Sequence, residues 1–134
     1  MGVPRVGLAV FVIKGDKVLM SLRLKSLGEN TWQLPGGHLE FFESFEDCAR
    51  REVLEESGVV ISDVEFVAVT NDLFVEENKH YVTIFLRARY VSGTPQVLEP
   101  GKCLSWDWFS WDELPSPLFL PLESFVMFGL SPFE

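Results

Sequence analysis

The segment GGHLEFFESFEDCARREVLEESGV, residues 36–59, concentrates negative charge in a chain that is already acidic. Seven of its residues are acidic and two, Arg50 and Arg51, are basic, although the whole chain carries a formal net charge of −9. Glu52, Glu55 and Glu56 fall within five consecutive positions. Like charges this close destabilise a helix unless something neutralises them. The function of the chain therefore depends on the structure that this segment forms and on what neutralises its charge.

Residues 45–57 are predicted to form a helix. Ser44 is a suitable N-cap with the acidic Asp47 three residues later, and Gly58 suits the position after the helix end. The three glutamates then stand at positions i, i+3 and i+4, so their carboxylates share an arc of about 100°.

The side chains near this arc suggest which way the acids face. Phe45 and Cys48 lie close to the same arc, so we expect the three glutamates to point toward the protein body. Partial burial there strengthens their mutual repulsion.

The rest of the chain is predicted to form strands joined by short turns. KGDK (14–17) closes a hairpin, the pair Gly36-Gly37 forms a flexible turn, and WDEL (111–114) begins a helical turn. Strands are predicted at 5–13, 18–23, 31–35, 59–75, 79–91 and 103–111, and a short C-terminal helix at 120–130. The expected fold class is α+β, an α/β/α sandwich with a mixed central sheet.

The composition limits the classes of protein that the chain can represent. A length of 134 residues with 47% hydrophobic residues indicates a single domain over 1–134. No apolar run approaches the roughly 20 residues that cross a bilayer, so no membrane partner is expected. The apolar start is predicted to be a strand, not a signal peptide. Cys48 and Cys103 are expected to be reduced and partly buried, which suits the cytoplasm.

The acidic balance argues against a nucleic-acid polymer as partner, since a duplex binder needs a basic face. It permits a small phosphate ligand, because a divalent cation can bridge acid to phosphate. Arg50 and Arg51 are expected to point to other parts of the helix, so a hard cation such as Mg²⁺ is the better counter-ion for the glutamates. The alternative is a solvated acidic face. Three features disfavour that alternative: the two glycines before the helix, Glu43 at its start, and Arg51 beside the acids.

These residues also follow a known pattern. Gly37, Glu43 and the run from Arg51 to Val59 match the Nudix box, G-x5-E-x7-R-E-U-x-E-E-x-G-U, at every specified position. The chain resembles the MutT-like Nudix hydrolases. The resemblance implies a loop–helix–loop that binds Mg²⁺, with Mn²⁺ as an alternative, and hydrolysis of a nucleoside diphosphate linked to another group.

The resemblance also implies roles for the residues of the box. Glu52, Glu55 and Glu56 would bind the metal, with the backbone carbonyl of Gly36 or Gly37 as a further ligand. Arg51 would orient the glutamates by ion pairing, with Glu43 as its partner, and these five side chains form the expected catalytic set. The general base stays open between the three helix glutamates and a loop acid such as Glu99.

Motifs outside the box narrow the resemblance. QLPGGHLEF, HYVTIF, LEPGKC and SWDWFSWDELP resemble the MutT-homologue-2 type and the plant cytosolic Nudix enzymes. That group implies a homodimer that cleaves (d)NTPs such as 8-oxo-dGTP or dGTP to the monophosphate and pyrophosphate. The alternatives are hydrolysis of NADH, ADP-ribose or dihydroneopterin triphosphate, and, from another class, a non-catalytic nucleotide-binding module.

The same alignment implies a substrate pocket. Its expected residues are Arg23, Gln33, Leu34, Gly36, His38, Thr83, Phe119 and Leu122. Several have a structural alternative: a surface charge for Arg23, a core position for Phe119, and hydrogen-bonded structural roles for His38 and His80.

The chain also departs from its relatives at a few positions. Phe42 stands before the box glutamate, where many relatives have glycine, and Leu104 stands where relatives tend to have an acid. The pair Leu120-Pro121 stands where relatives often have tryptophan. We expect these departures to lie around the substrate cleft, where they would bear on the preferred base.

Overall fold

The structure of the protein is a computed structural model, which describes residues 2–133. Its strands are β1 (Arg5–Lys14), β2 (Lys17–Arg23), β3 (Trp32–Gln33), β4 (Gly36–His38), β5 (Val60–Phe74), β6 (Lys79–Ser92) and β7 (Cys103–Ser110). Its helices are α1 (Phe45–Ser57) and α2 (Leu120–Met127), with a 3₁₀ turn at Trp111–Glu113. The expectation of a single domain over 1–134 includes Met1 and Glu134, which lie outside the described residues.

Strand β1 is the centre of a mixed sheet. It runs parallel to β6 from Arg5 to Ile13 and pairs antiparallel with β4 near its start and with β2 near its end. The main path through the sheet is β3-β2-β1-β6-β5, and β7 adds to β2.

Both faces of the sheet are covered, which confirms the predicted sandwich. Leu8, Val10 and Val12 of β1 face a core that includes Cys48, Ala49 and Val53 of α1. Phe11 faces the opposite core, where it packs against Leu122 and Phe125 of α2. Alternate residues of one strand thus enter different cores, as the two-residue period of a strand requires.

Helix α1 begins and ends where its sequence signals predicted. The Ser44 hydroxyl accepts a hydrogen bond from the Asp47 amide at 3.1 Å. Gly58 adopts the left-handed conformation with φ of 77°, and its amide donates to the Leu54 carbonyl. Both ends are fixed by local chemistry, so the helix forms in a defined register.

The prediction of a flexible turn at Gly36-Gly37 is wrong, because both residues belong to β4. Gly36 pairs with Ala9 and Gly37 with Leu8. A Cβ at position 36 would lie 1.9 Å from the Leu8 carbonyl oxygen. These glycines therefore permit a close approach of two strands.

The other predicted elements are present, and most of their ends agree with the prediction to within one residue. The strand predicted at 31–35 is confined to Trp32–Gln33, and the C-terminal helix ends at Met127. The hairpin turn at KGDK contracts to Gly15-Asp16, since Lys14 and Lys17 pair with each other.

The remaining expectations concern the cysteines and the membrane. Cys48 and Cys103 are both free and buried, with 0% and 4% exposure, whereas partial burial was expected. Among residues 2–133, neither helix has the length and apolar content to cross a bilayer.

Candidate active site

Arg51 is the hub of the acidic cluster on α1. Its Nε and Nη2 donate to the two carboxylate oxygens of Glu43 at 2.7 and 2.9 Å. Its Nη1 donates to Glu52 Oε1 at 2.5 Å and reaches Glu55 Oε2 at 3.5 Å. The ion pair with Glu43 implied by the resemblance is therefore present. The expectation that Arg51 points away from the acids is wrong, because its long side chain folds back across them.

This ion pair determines the charge state of its members. The hydrogen bonds from Arg51 lower the pKa of the Glu43 carboxyl to about 2. The same bonds raise the pKa of the Arg51 guanidinium above its usual range. Glu43 thus stays ionised and holds the guanidinium in a two-pronged contact, the strongest geometry available to an arginine and a carboxylate.

Glu56 is the buried member of the cluster. The residue is only 8% exposed to solvent. The Gly36 amide of β4 donates to Glu56 Oε1 at 2.8 Å. Burial, with a smaller contribution from the nearby Glu52 carboxylate, raises the pKa of Glu56 to about 8 against the opposing effect of the Gly36 hydrogen bond. An ionised Glu56 is therefore costly until a cation reaches it.

Glu52 lies against the second glycine of β4. A Cβ added at Gly37 would stand 2.3 Å from Glu52 Oε2, so the carboxylate occupies the space that any side chain at 37 would fill. Burial is the main cause that raises the pKa of Glu52. Gly36 and Gly37 thus bring both acids against the backbone of β4.

Glu55 departs from the expected arrangement. Its side chain is 53% exposed, so the prediction that all three glutamates face the protein body is right for Glu52 and Glu56 and wrong for Glu55. Among residues 2–133, no three acid, histidine or cysteine side chains already converge into a metal cage. The donor chemistry nevertheless fits a hard cation, since Glu52 and Glu56 offer partly desolvated carboxylate oxygens side by side. Glu55 would join them only by turning its exposed side chain.

A cavity of about 520 Å³ opens beside these acids. Glu56 and Gly37 form part of its wall, so the acidic cluster and the cavity are continuous. All eight residues predicted to bind substrate line it: Arg23, Gln33, Leu34, Gly36, His38, Thr83, Phe119 and Leu122. The eight residues therefore form one connected surface.

Arg23 is a buried component of the cavity wall, so the alternative of a surface charge is wrong. It is 8% exposed, and burial lowers its pKa to about 10. Its Nη1 donates to Gln33 Oε1 at 2.5 Å and its Nε to the Leu27 carbonyl at 2.9 Å. Its guanidinium lies 3.9 Å from the centre of the Phe119 ring, a cation–π contact. Phe119 is thus held in the wall by Arg23.

The two histidines differ in position. His38 lines the cavity, stacks on Tyr81 and shares a 3.1 Å hydrogen bond between its Nε2 and the Tyr81 hydroxyl. Burial and the positive charges of Arg5 and Lys25 lower the pKa of His38, which favours its neutral form. His80 shares a hydrogen bond with Asn71 and does not line the cavity. The structural alternative therefore suits His80 better than His38.

Sequence reasoning missed several cavity residues. Phe74 on β5 and Lys79, Tyr81 and Phe85 on β6 line the cavity beside Thr83. The two-residue period along β6 could have identified the last three, since positions 79, 81, 83 and 85 share one face.

Most departures from the relatives lie away from this cavity, contrary to expectation. Phe42 is 94% exposed, Leu104 is also exposed, and neither residue lines the cavity. Among these departures, only Pro121 of the Leu120-Pro121 pair lines the cavity. Phe42 has φ of 66°, in the left-handed region that favours glycine. This backbone conformation explains why glycine suits the position before the box glutamate.

The chain is similar to known proteins over most of its length. The NUDIX domain matches residues 3–127. The chain is 29% identical over 125 residues to the mouse oxidized purine nucleoside triphosphate hydrolase, covering 93% of this chain and 78% of the mouse protein. It is 34% identical to the NAD-capped RNA hydrolase NudC of Pseudomonas aeruginosa, but spans 36% of that protein's length.

A solved structure gives the same assignment. The MutT NUDIX hydrolase from Burkholderia pseudomallei superimposes with a TM-score of 0.82 at 30% identity, covering 87% of this chain and 91% of that one. The family match, this superposition and the continuous acid cluster and cavity agree. The chain therefore belongs to the NUDIX domain family and is a MutT-like Nudix pyrophosphohydrolase.

Proposed function

We propose that the protein is a Mg²⁺-dependent nucleoside triphosphate diphosphatase that cleaves purine (d)NTPs, such as 8-oxo-dGTP or dGTP, to the monophosphate and pyrophosphate. The observation that carries this proposal is the position of Glu56, which interacts with Glu52 of the acidic cluster and also forms part of the cavity wall. A nucleotide whose base is held in the cavity would extend its phosphates toward those acids. The volume of about 520 Å³ suits a small-molecule ligand.

The cavity wall supports a purine base as the ligand. Phe119, Leu34 and Leu122 supply apolar surface, and Arg23 and Gln33 supply polar groups whose positions are fixed by each other. A wall that is mostly apolar with a few oriented polar groups is typical of ligand sites.

Lysines supply positive charge at the same cavity. Lys25 and Lys79 both line it. Their charges would attract a polyphosphate to a protein that is acidic overall.

The proposed metal ligands are Glu52, Glu56 and Glu55 with the Gly37 backbone carbonyl, and Mn²⁺ would suit the same oxygens as Mg²⁺. When bound, the cation would neutralise phosphate oxygens and lower the pKa of a coordinated water.

The chain's own groups prepare this site. Arg51 holds Glu52 in place, Glu43 holds Arg51, and the Gly36 amide holds Glu56. Glu52 and Glu56 thus need little reorganisation, which is the main contribution that a protein makes to phosphoryl transfer.

The proton acceptor for the attacking water is proposed among Glu52, Glu55, Glu56 and Glu99. Glu99 pairs with Lys102 at 2.9 Å, and its negative charge contributes to the raised pKa values of Glu52 and Glu56. It therefore lies close enough to the cluster to belong to this set.

A second candidate function is hydrolysis of NADH or ADP-ribose, which the similarity to the NAD-capped RNA hydrolase favours. Dihydroneopterin triphosphate is a further candidate because a pterin, like a purine, is a flat bicyclic ring. A non-catalytic nucleotide-binding module is disfavoured, since every acid specified by the Nudix box is retained.

We also propose that the protein is a cytoplasmic homodimer. The two free, buried cysteines suit a reducing compartment, and the resemblance to the MutT-like enzymes implies the dimer.

A substrate panel separates these candidates. With Mg²⁺ and equal concentrations of dGTP, 8-oxo-dGTP, dihydroneopterin triphosphate, NADH and ADP-ribose, we expect the highest kcat/KM for a purine triphosphate, with pyrophosphate as product. Faster cleavage of NADH or ADP-ribose than of every triphosphate would overturn the proposal. Analytical ultracentrifugation of the same sample tests the dimer, and a monomer at all concentrations would contradict it.

Glu56→Gln tests the role of the buried acid. Loss of one charged oxygen from the proposed metal site should lower kcat by at least about two orders of magnitude. Glu46→Gln is the matched control, because Glu46 lies on the same helix but pairs with the exposed Arg50. The control should retain the wild-type rate within about twofold; equal rates for wild type and Glu56→Gln would exclude catalysis by this cluster.

The raised pKa of Glu56 predicts how stability depends on pH. Because the folded protein keeps this proton up to about 8 while the unfolded chain releases it near 4.5, stability of the metal-free protein should fall as pH rises between these values. Thermal unfolding across that interval measures the slope. Glu56→Gln should flatten it, Glu46→Gln should not, and Mg²⁺ should raise the midpoint most at the alkaline end. A slope unchanged by Glu56→Gln would refute this assignment.

A further inference from the structure

A buried carboxylate lies beneath the cavity, outside the acidic cluster. Asp72 on β5 is 1% exposed. It pairs directly with Tyr81 of β6, and paired residues of antiparallel strands place their side chains on the same face. Tyr81 and Thr83 line the cavity, as does Phe74 two residues after Asp72. Asp72 therefore lies on the cavity side of the sheet, directly under its lining.

The two oxygens of Asp72 are used unequally. Oδ2 accepts hydrogen bonds from the Thr70 and Thr83 hydroxyls, each at 2.7 Å. Oδ1 is buried and finds no partner among residues 2–133. Leaving a buried acceptor unsatisfied is costly, and satisfying two hydroxyls does not require a carboxylate. The group is therefore not explained by the needs of the fold alone.

The contact with Asp72 fixes the polarity of Thr83. A hydroxyl has one hydrogen to donate and two lone pairs that accept. The single hydrogen of Thr83 is committed to Asp72 Oδ2, so its oxygen offers only lone pairs to the cavity. Nearby, Arg23 Nη1 donates to Gln33 Oε1, while Arg23 Nε and Gln33 Nε2 donate to the Leu27 carbonyl and the Ser21 hydroxyl. The hydroxyl oxygen of Thr83 is thus an acceptor whose orientation the protein has set.

We propose that Asp72 is a positioning residue that locks Thr83 as a hydrogen-bond acceptor, so that the cavity selects purines whose facing edge carries an N–H donor. This inference rests on the proposed function and specifies its substrate class. Guanine-type bases, with a ring N–H and an exocyclic amine, meet the requirement, and an 8-oxo group adds a further ring N–H at N7. An unsubstituted purine ring has no N–H on the base of its nucleotide and does not meet it.

Paired threonine variants test the inference. Thr83→Val and Thr70→Val remove hydroxyls of the same geometry from the same carboxylate oxygen, but Thr83 alone lines the cavity. The binding readout is the ratio of dissociation constants for dGMP and for the unsubstituted purine deoxynucleoside monophosphate, measured by calorimetry. The kinetic readout is kcat and KM for the two triphosphates.

We expect wild type to prefer the guanine compounds, and Thr83→Val to reduce that preference about tenfold, the value of one hydrogen bond. The change should appear in KM, with kcat altered less. Thr70→Val should keep the preference within about twofold despite a similar loss of stability, and Thr83→Ser should retain it.

Variants of Asp72 test the positioning step. Asp72→Asn keeps one oxygen able to accept both threonine hydroxyls and should preserve the preference. Asp72→Ala frees the Thr83 hydroxyl to donate and should reduce the preference as Thr83→Val does. If Asp72→Ala fails to fold, the two threonine variants still decide.

Two outcomes would overturn the inference in distinguishable ways. Hydrolysis and binding of nucleotides with a base preference that Thr83→Val leaves unchanged would refute the inference and leave the proposed function standing. Neither hydrolysis nor binding of any nucleotide by the wild-type protein would refute both.

Discussion

The contact between helix α1 and strand β4 is the constraint on which the site depends. The Gly36 amide donates to Glu56, and the Glu52 carboxylate occupies the space that a side chain at Gly37 would fill. Gly36 itself can lie this close to β1 only because it lacks a Cβ. Two glycines therefore set the distance between the central sheet and the acids of the helix, and through them the position of the acids beside the cavity.

The electrostatics of the cluster follow from that geometry. Burial and mutual repulsion raise the pKa values of Glu52 and Glu56, while Arg51 keeps Glu43 ionised. One arginine does not neutralise the group, because Glu43 engages two of its nitrogens. The cluster is thus costly in the empty protein and favourable with a divalent cation, which is the behaviour expected of a site that assembles with its metal and substrate.

The sequence was most informative where local chemistry decides the structure. Ser44 and Gly58 fix both ends of α1 through their own backbone and side-chain bonds, so the helix was predicted residue for residue. The Gly36-Gly37 pair was misjudged because glycine is typical of turns, whereas here it serves a contact with a strand distant in sequence. The exposure of Glu55 was missed for a related reason. Helical spacing shows that the three glutamates share one face of the helix, but it does not show how much of that face the neighbouring strand covers. Tyr81 and Asp72 became recognisable only from the pairing of β5 with β6.

The most direct test of this account is the Mg²⁺ affinity of Gly37→Ala, measured by calorimetry beside wild type. The added methyl would stand 2.3 Å from Glu52 Oε2 and must displace that carboxylate. The account predicts at least about a tenfold loss of Mg²⁺ affinity, comparable to losing a group that orients a metal ligand, with the fold retained in circular dichroism. A folded Gly37→Ala protein that binds Mg²⁺ as tightly as wild type would contradict it.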